Sequence, residues 1–169
     1  MRKFLNALYD GAGWLAALAM VGTLCSVLAG VLDRQFAWSL RGTDMYAGYC
    51  MAASGFLALA HTLKKGEHIR VTLLLNALQG KARRGMELWA LAAATGLAAL
   101  FAYYSVKLAI NSYQFNDIST GNDATPLWIP QITMGLGTVV LLIALADELM
   151  LEWLGRRTVV VSDEMLHNE

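Results

Sequence analysis

Three histidines and two cysteines are the residues here best suited to hold a metal or a haem, and their spacing supports neither. Cys25 and Cys50 form no C-x-x-C pair, no H-E-x-x-H helix is present, and Glu67-His68 stands alone. A haem clamped between membrane helices needs two facing histidines, yet His61 alone falls inside an apolar run, with His68 and His167 outside. His61 is therefore read as a polar residue near a helix end, bonded to a backbone group. The cysteines read as small apolar packing residues. Gly11-x-Gly13 and Gly135-x-Gly137 follow no strand and lack the third glycine of a dinucleotide fingerprint. No cofactor, metal site or catalytic set is expected, and the chain is not read as an enzyme.

The elements that would position any such residues are four stretches, 11–32, 45–63, 88–106 and 127–146, which contain no Asp, Glu, Lys or Arg. Each approaches the roughly 20 residues that a helix needs to cross a bilayer core. With 57% hydrophobic residues, 15% charged and a mean hydropathy of +0.47, the composition fits an all-α integral membrane protein with four transmembrane helices. Residues 1–157 form one membrane domain in this reading, and 158–169 a polar tail. The remaining chain is too short for a separate catalytic domain. Thirteen basic residues balance thirteen acidic ones, which gives no reason to expect a nucleic-acid partner.

The cations are segregated. Ten (Arg2, Lys3, Lys64, Lys65, Arg70, Lys81, Arg83, Arg84, Arg156 and Arg157) flank one side of the runs, against Arg34, Arg41 and Lys107 on the other. The positive-inside rule then predicts cytoplasmic termini, with the connections 33–44 and 107–126 facing the periplasm or cell exterior. Arg2 and Lys3 before an apolar stretch imitate a secretory signal, but the run is too long for a signal core and Asp10 interrupts the approach. Ile69, Leu73, Leu74 and Leu78 recur at helical spacing before Lys81, Arg83 and Arg84. They predict a short amphipathic cytoplasmic helix between the second and third spans, with those three cations as candidates for lipid head groups. Trp14, Trp89, Trp128 and Trp153 sit near span ends, as interfacial rings should.

Two stripes of small residues, Gly22, Ser26 and Gly30 on the first helix and Ala90, Ala94, Ala98 and Ala102 on the third, would let helices approach closely. Packing within this chain and docking against another membrane protein are both open for them. No ionisable group lies near mid-bilayer in the four runs. Asp44, Glu67, Glu87, Asp147 and Glu148 all fall at or beyond their ends, so a self-sufficient carrier or proton relay is hard to build.

The order of these features resembles the small membrane subunit of tripartite ATP-independent periplasmic (TRAP) transporters, the DctQ type, from about Leu5 to Gly155. Asp33-Arg34-Gln35-Phe36 closes the first helix, with Trp38 and then Asp44 before the second. Lys65-Gly66-Glu67-His68-Ile69-Arg70-Val71 is similar to a basic-Gly-x-His-Ile-x-Val signature. Ser119-Thr120-Gly121 lies in a polar approach to the last helix, which opens with Thr125-Pro126-Leu127-Trp128-Ile129-Pro130. Asp44 stands where the family commonly has Glu, and Thr72 where an acidic residue often follows the valine.

That resemblance implies a division of labour. A periplasmic substrate-binding protein captures an organic acid, a large membrane subunit moves it with sodium, and this small subunit braces the large one as an obligate partner. The two small-residue stripes are then candidates for the large-subunit interface, and Arg34, Arg41, Asp117, Asn122 and Asp123 for docking the binding protein. Two other classes remain: a membrane anchor for a redox enzyme, which the shortage of paired histidines disfavours, and a small homodimeric exporter, which would need an intramembrane carboxylate.

Overall fold

The computed structural model describes residues 2–36, 38, 40–65 and 81–155. The expected helix at 69–78, the Gly66–Val71 part of the signature, His68, Thr72, His167, Arg156, Arg157 and the tail lie outside the described residues. Four helices fill the rest: α1 (Arg2–Phe36), α2 (Thr43–Lys65), α3 (Lys81–Gln114) and α4 (Trp128–Trp153). Among the described residues no strand forms beyond one isolated bridge, Ile118 with Pro126.

Helix ends follow local chemistry. Asp44 in the first turn of α2 and Lys64 and Lys65 in its last both complement the helix dipole. α3 closes in a Schellman motif: Asn116, at φ +52°, takes the left-handed position, while Asp117 N–H donates to Ser112 O and Asn116 N–H to Tyr113 O. Gly155, at φ +65°, does the same for α4, where its N–H donates to Glu152 O. Pro130 sits in the first turn of α4, where its missing N–H costs nothing.

The helices form a row rather than a closed bundle. α1 packs on α2, α2 on α4 and α4 on α3, with only a slight touch between α1 and α4. The interior is built from small residues: Ala12, Ala16, Ala53, Ser54, Ala60, Ala98, Ala102, Gly135, Gly137, Thr138 and Ala144 are all buried. Large side chains turn outward, as with Leu18 and Leu97 at 71% exposure each, so the fold presents apolar surface where lipid would lie. One cluster has more bulk, where Tyr9, Ala60 and Ala144 meet Leu5, Leu63 and Val140.

Two sequence expectations shift. Three helical stretches, Phe4–Phe36, Ala82–Gln114 and Trp128–Trp153, are long and apolar enough to cross a membrane. α2 covers the second expected span but is less apolar, because it carries Tyr46, Tyr49, Ser54, His61 and Thr62. The third helix is also longer than its charge-free run. Lys107, expected to open a periplasmic connection, instead lies two turns inside α3, since one lysine does not stop a helix that Leu108, Ala109 and Ile110 continue.

Candidate functional site

At the end where α1 meets α2 and α3 meets α4, the two connections interlock. Gly42, at φ +82°, lets the chain turn into α2 with its backbone against Asp123, where an added Cβ would lie 2.6 Å from the Asp123 Cβ. The Tyr49 hydroxyl donates to Asp123 Oδ2 at 3.1 Å and lies 3.0 Å from Ser119 Oγ. Ser119 Oγ in turn donates to Asp123 Oδ1 at 2.8 Å and accepts from Gly121 N–H. Slight burial works against ionisation of Asp123, but hydrogen bonds from Thr125, Ser119 and Tyr49 and from its own backbone outweigh it. They hold the carboxyl below the ordinary aspartate value. Arg34 pairs with Asp44 at 3.4 Å, both about three-quarters exposed, a contact of about 0–1 kcal/mol.

The binding-protein candidates therefore divide. Arg41, Asp117 and Asn122 are exposed, Arg34 is exposed but paired, and Asp123 is half-buried in the loop network. Tyr46 and Tyr49, one helical turn apart at the start of α2, organise this end and were not singled out from sequence. The signal was two phenols facing the connection before α4, Tyr49 at Ser119 and Tyr46 at Thr125, a long-range pairing that spacing alone does not reveal.

The opposite end holds a charged cluster. Lys64 Nζ lies 3.3 Å from Asp147 Oδ2 and 3.8 Å from Glu148 Oε1, tying α2 to α4, and stands 5.5 Å over the Tyr9 ring on α1. His61 packs against Gly13 with Nδ1 3.6 Å from Asp10 Oδ1, so its partner is a carboxylate on α1, not a backbone group. The glycine leaves room for the ring between the helices. Arg83 pairs with Glu87 at 3.2 Å, and the Arg84 guanidinium donates to the Trp153 and Glu152 carbonyls at the end of α4. Of the proposed head-group cations, these two are thus engaged within the chain, and the Lys81 side chain lies outside the described residues.

The small-residue stripes are largely taken up inside the row. A Cβ at Gly22 would come within 3.1 Å of Cys50 Sγ, and one at Gly30 within 3.0 Å of Thr43 Oγ1. Ser26 and Ala94 are half-buried, Ala98 and Ala102 buried, and Ala90 exposed. Cys50 serves as the packing residue expected, whereas Cys25 is exposed. Among the described residues no group of histidine, cysteine and carboxylate side chains is arranged to hold a metal.

Residues 23–155 match the family model for the DctQ component of tripartite ATP-independent periplasmic transporters. The chain belongs to that family. No curated protein and no solved structure matches it. Membership makes this DctQ chain the small membrane subunit of a TRAP transporter, a transport component that works with a large membrane subunit and a substrate-binding protein. Together with three helices apolar enough to span, it places the protein in the inner membrane.

Proposed function

We propose that this DctQ chain is a rigid brace, an obligate partner of the large subunit in sodium-coupled uptake of organic acids, and that it helps to seat the binding protein through Arg41, Asp117 and Asn122. The observation that carries the reading is the row arrangement. Among the described residues a single layer of four helices packed through alanine and glycine encloses no path for a charged solute, and its ends are tied, by Tyr49–Asp123–Ser119 at one and Lys64–Asp147 at the other. Such a plate adds fixed width to a neighbour without moving itself. Neither a redox anchor nor a homodimeric exporter gains an observation in its favour.

Reconstitution tests this. Liposomes holding this chain alone are expected to show no sodium-dependent uptake of an organic acid, while liposomes holding it with the large subunit and binding protein take the acid up. Uptake by the isolated chain, or undiminished uptake by the large subunit without it, would defeat the reading.

A further inference from the structure

We infer that Lys107 on the outer edge of α3 pairs with a carboxylate carried by a membrane-spanning segment of the large subunit, which makes this edge of the row the docking edge. The inference rests on the brace reading above and adds where the brace meets its partner.

The depth of Lys107 is set by its neighbours. Tyr113 of α3 packs edge-on against Trp128 of α4, with ring centroids 5.7 Å apart, as interfacial aromatic rings would. Lys107 is about six residues below that pair along α3, or about 9 Å. The second helix agrees, because Val106 opposes Gly135, about seven residues into the charge-free stretch of α4. The lysine is nonetheless exposed, and among the described residues no carboxylate lies within ion-pair distance of it. Its ammonium stands over the Tyr103 ring, with Nζ 6.0 Å from the centroid.

An exposed ammonium below the level of the interfacial rings is costly without a counter-charge. Side chains on a helix lean towards its N-terminus, and Nζ here leans over Tyr103, away from the Tyr113–Trp128 rings. Lipid phosphates lie at or above those rings, so the ammonium points away from them. A carboxylate on a neighbouring helix can meet it at its own depth. The surface around it also suits a helix: Tyr103 and Tyr104 are 62% and 56% exposed, and a shallow apolar groove of about 530 Å³ runs beside Lys107 between Ala99 and Ile110. α1, at the far edge, exposes a face from Leu15 to Leu32 that carries no charge at all.

The test uses the full chain co-expressed with its large subunit. A photo-crosslinking residue at Tyr103 is expected to capture a segment of the large subunit that contains Asp or Glu, whereas the same probe at Leu28 on α1 captures far less. Lys107→Glu should lower the amount of large subunit co-purified by about tenfold, and Lys107→Arg should keep it near the wild-type level. Gel filtration and helical circular dichroism of each isolated variant check the fold, and should Lys107→Glu aggregate, the Tyr103 crosslink decides. Wild-type recovery of the large subunit with Lys107→Glu is the result that overturns the inference and leaves the brace reading standing. Capture of phospholipid only, or of a segment without a carboxylate, overturns it equally. If the wild-type chain recovers no large subunit at all, the brace reading falls as well.

Discussion

Asp123 accepts hydrogen bonds on both carboxylate oxygens, from Ser119 on one and from Tyr49 on the other, and each is a bond that only the ionised group uses fully. Because its folded value is depressed, the stabilisation is complete above the unfolded value, about 4, and is lost as pH falls through the lower folded value. Protection of the Ser119–Leu127 amides against hydrogen exchange, taken relative to the intrinsic rate at each pH, should therefore be high at neutral pH and fall below the ordinary carboxylate range. Asp123→Asn replaces one acceptor oxygen with a donor. It is expected to lower that protection at neutral pH and to abolish its acid-dependent fall, while Asp117→Asn, whose side chain is exposed, should leave the profile as it is. Identical wild-type and Asp123→Asn profiles would mean that the network is not held by the charge. Little of this was legible beforehand: Asp123 stood out as a loop acid, but its role depends on a phenol that lies far away in the chain.

At the scale of elements, the absence of charge over about 20 residues located all four helices, because a backbone without water must satisfy its own hydrogen bonds and the helix does so locally. Helix ends were less legible. Lys107 and Arg83 are charged yet helical, since a helix can continue into and beyond the interface while a span, counted by charge, must stop there. The small-residue stripes could not name the approaching neighbour, which for Gly22 is Cys50 and for Gly30 is Thr43 of the same chain. The tightest approach was not in a stripe. An added Cβ at Gly137 would lie 2.5 Å from the Phe56 carbonyl oxygen, a backbone atom that no rotamer change can move. Gly137→Ala should therefore push α2 from α4 and cost about 1–3 kcal/mol, lowering the thermal midpoint in detergent. Gly55→Ala on α2 meets nothing within 4 Å and should be neutral, or stabilising by up to about 1 kcal/mol through helix propensity. Equal midpoints for the two would contradict the α2–α4 contact on which the row depends.

For the whole molecule, the row has two chemically different ends, and its orientation follows from which end is cationic. Lys64, Arg83 and Arg84 gather with Asp147 and Glu152 at one end, and Arg34 and Arg41 with Asp44 and Asp123 at the other. With Lys107 inside α3, the end opposite the cationic one retains only Arg34, in the last turn of α1, and Arg41, in the connection to α2, which strengthens the asymmetry that the positive-inside rule reads. Acidic residues contribute little to that rule, so the carboxylates around Lys64 do not cancel it. The end bearing Asn122 should then face the periplasm and the end bearing Ala82 the cytoplasm. In a background where Cys25 and Cys50 are replaced by alanine, a cysteine at the exposed position Asn122 should react with a membrane-impermeant maleimide in intact cells. One at the exposed position Ala82 should react only after the membrane is opened. The reverse pattern would turn Arg41, Asp117 and Asn122 away from the periplasm, so no binding protein could dock on them, and it would also bring the Lys107 edge to the opposite leaflet.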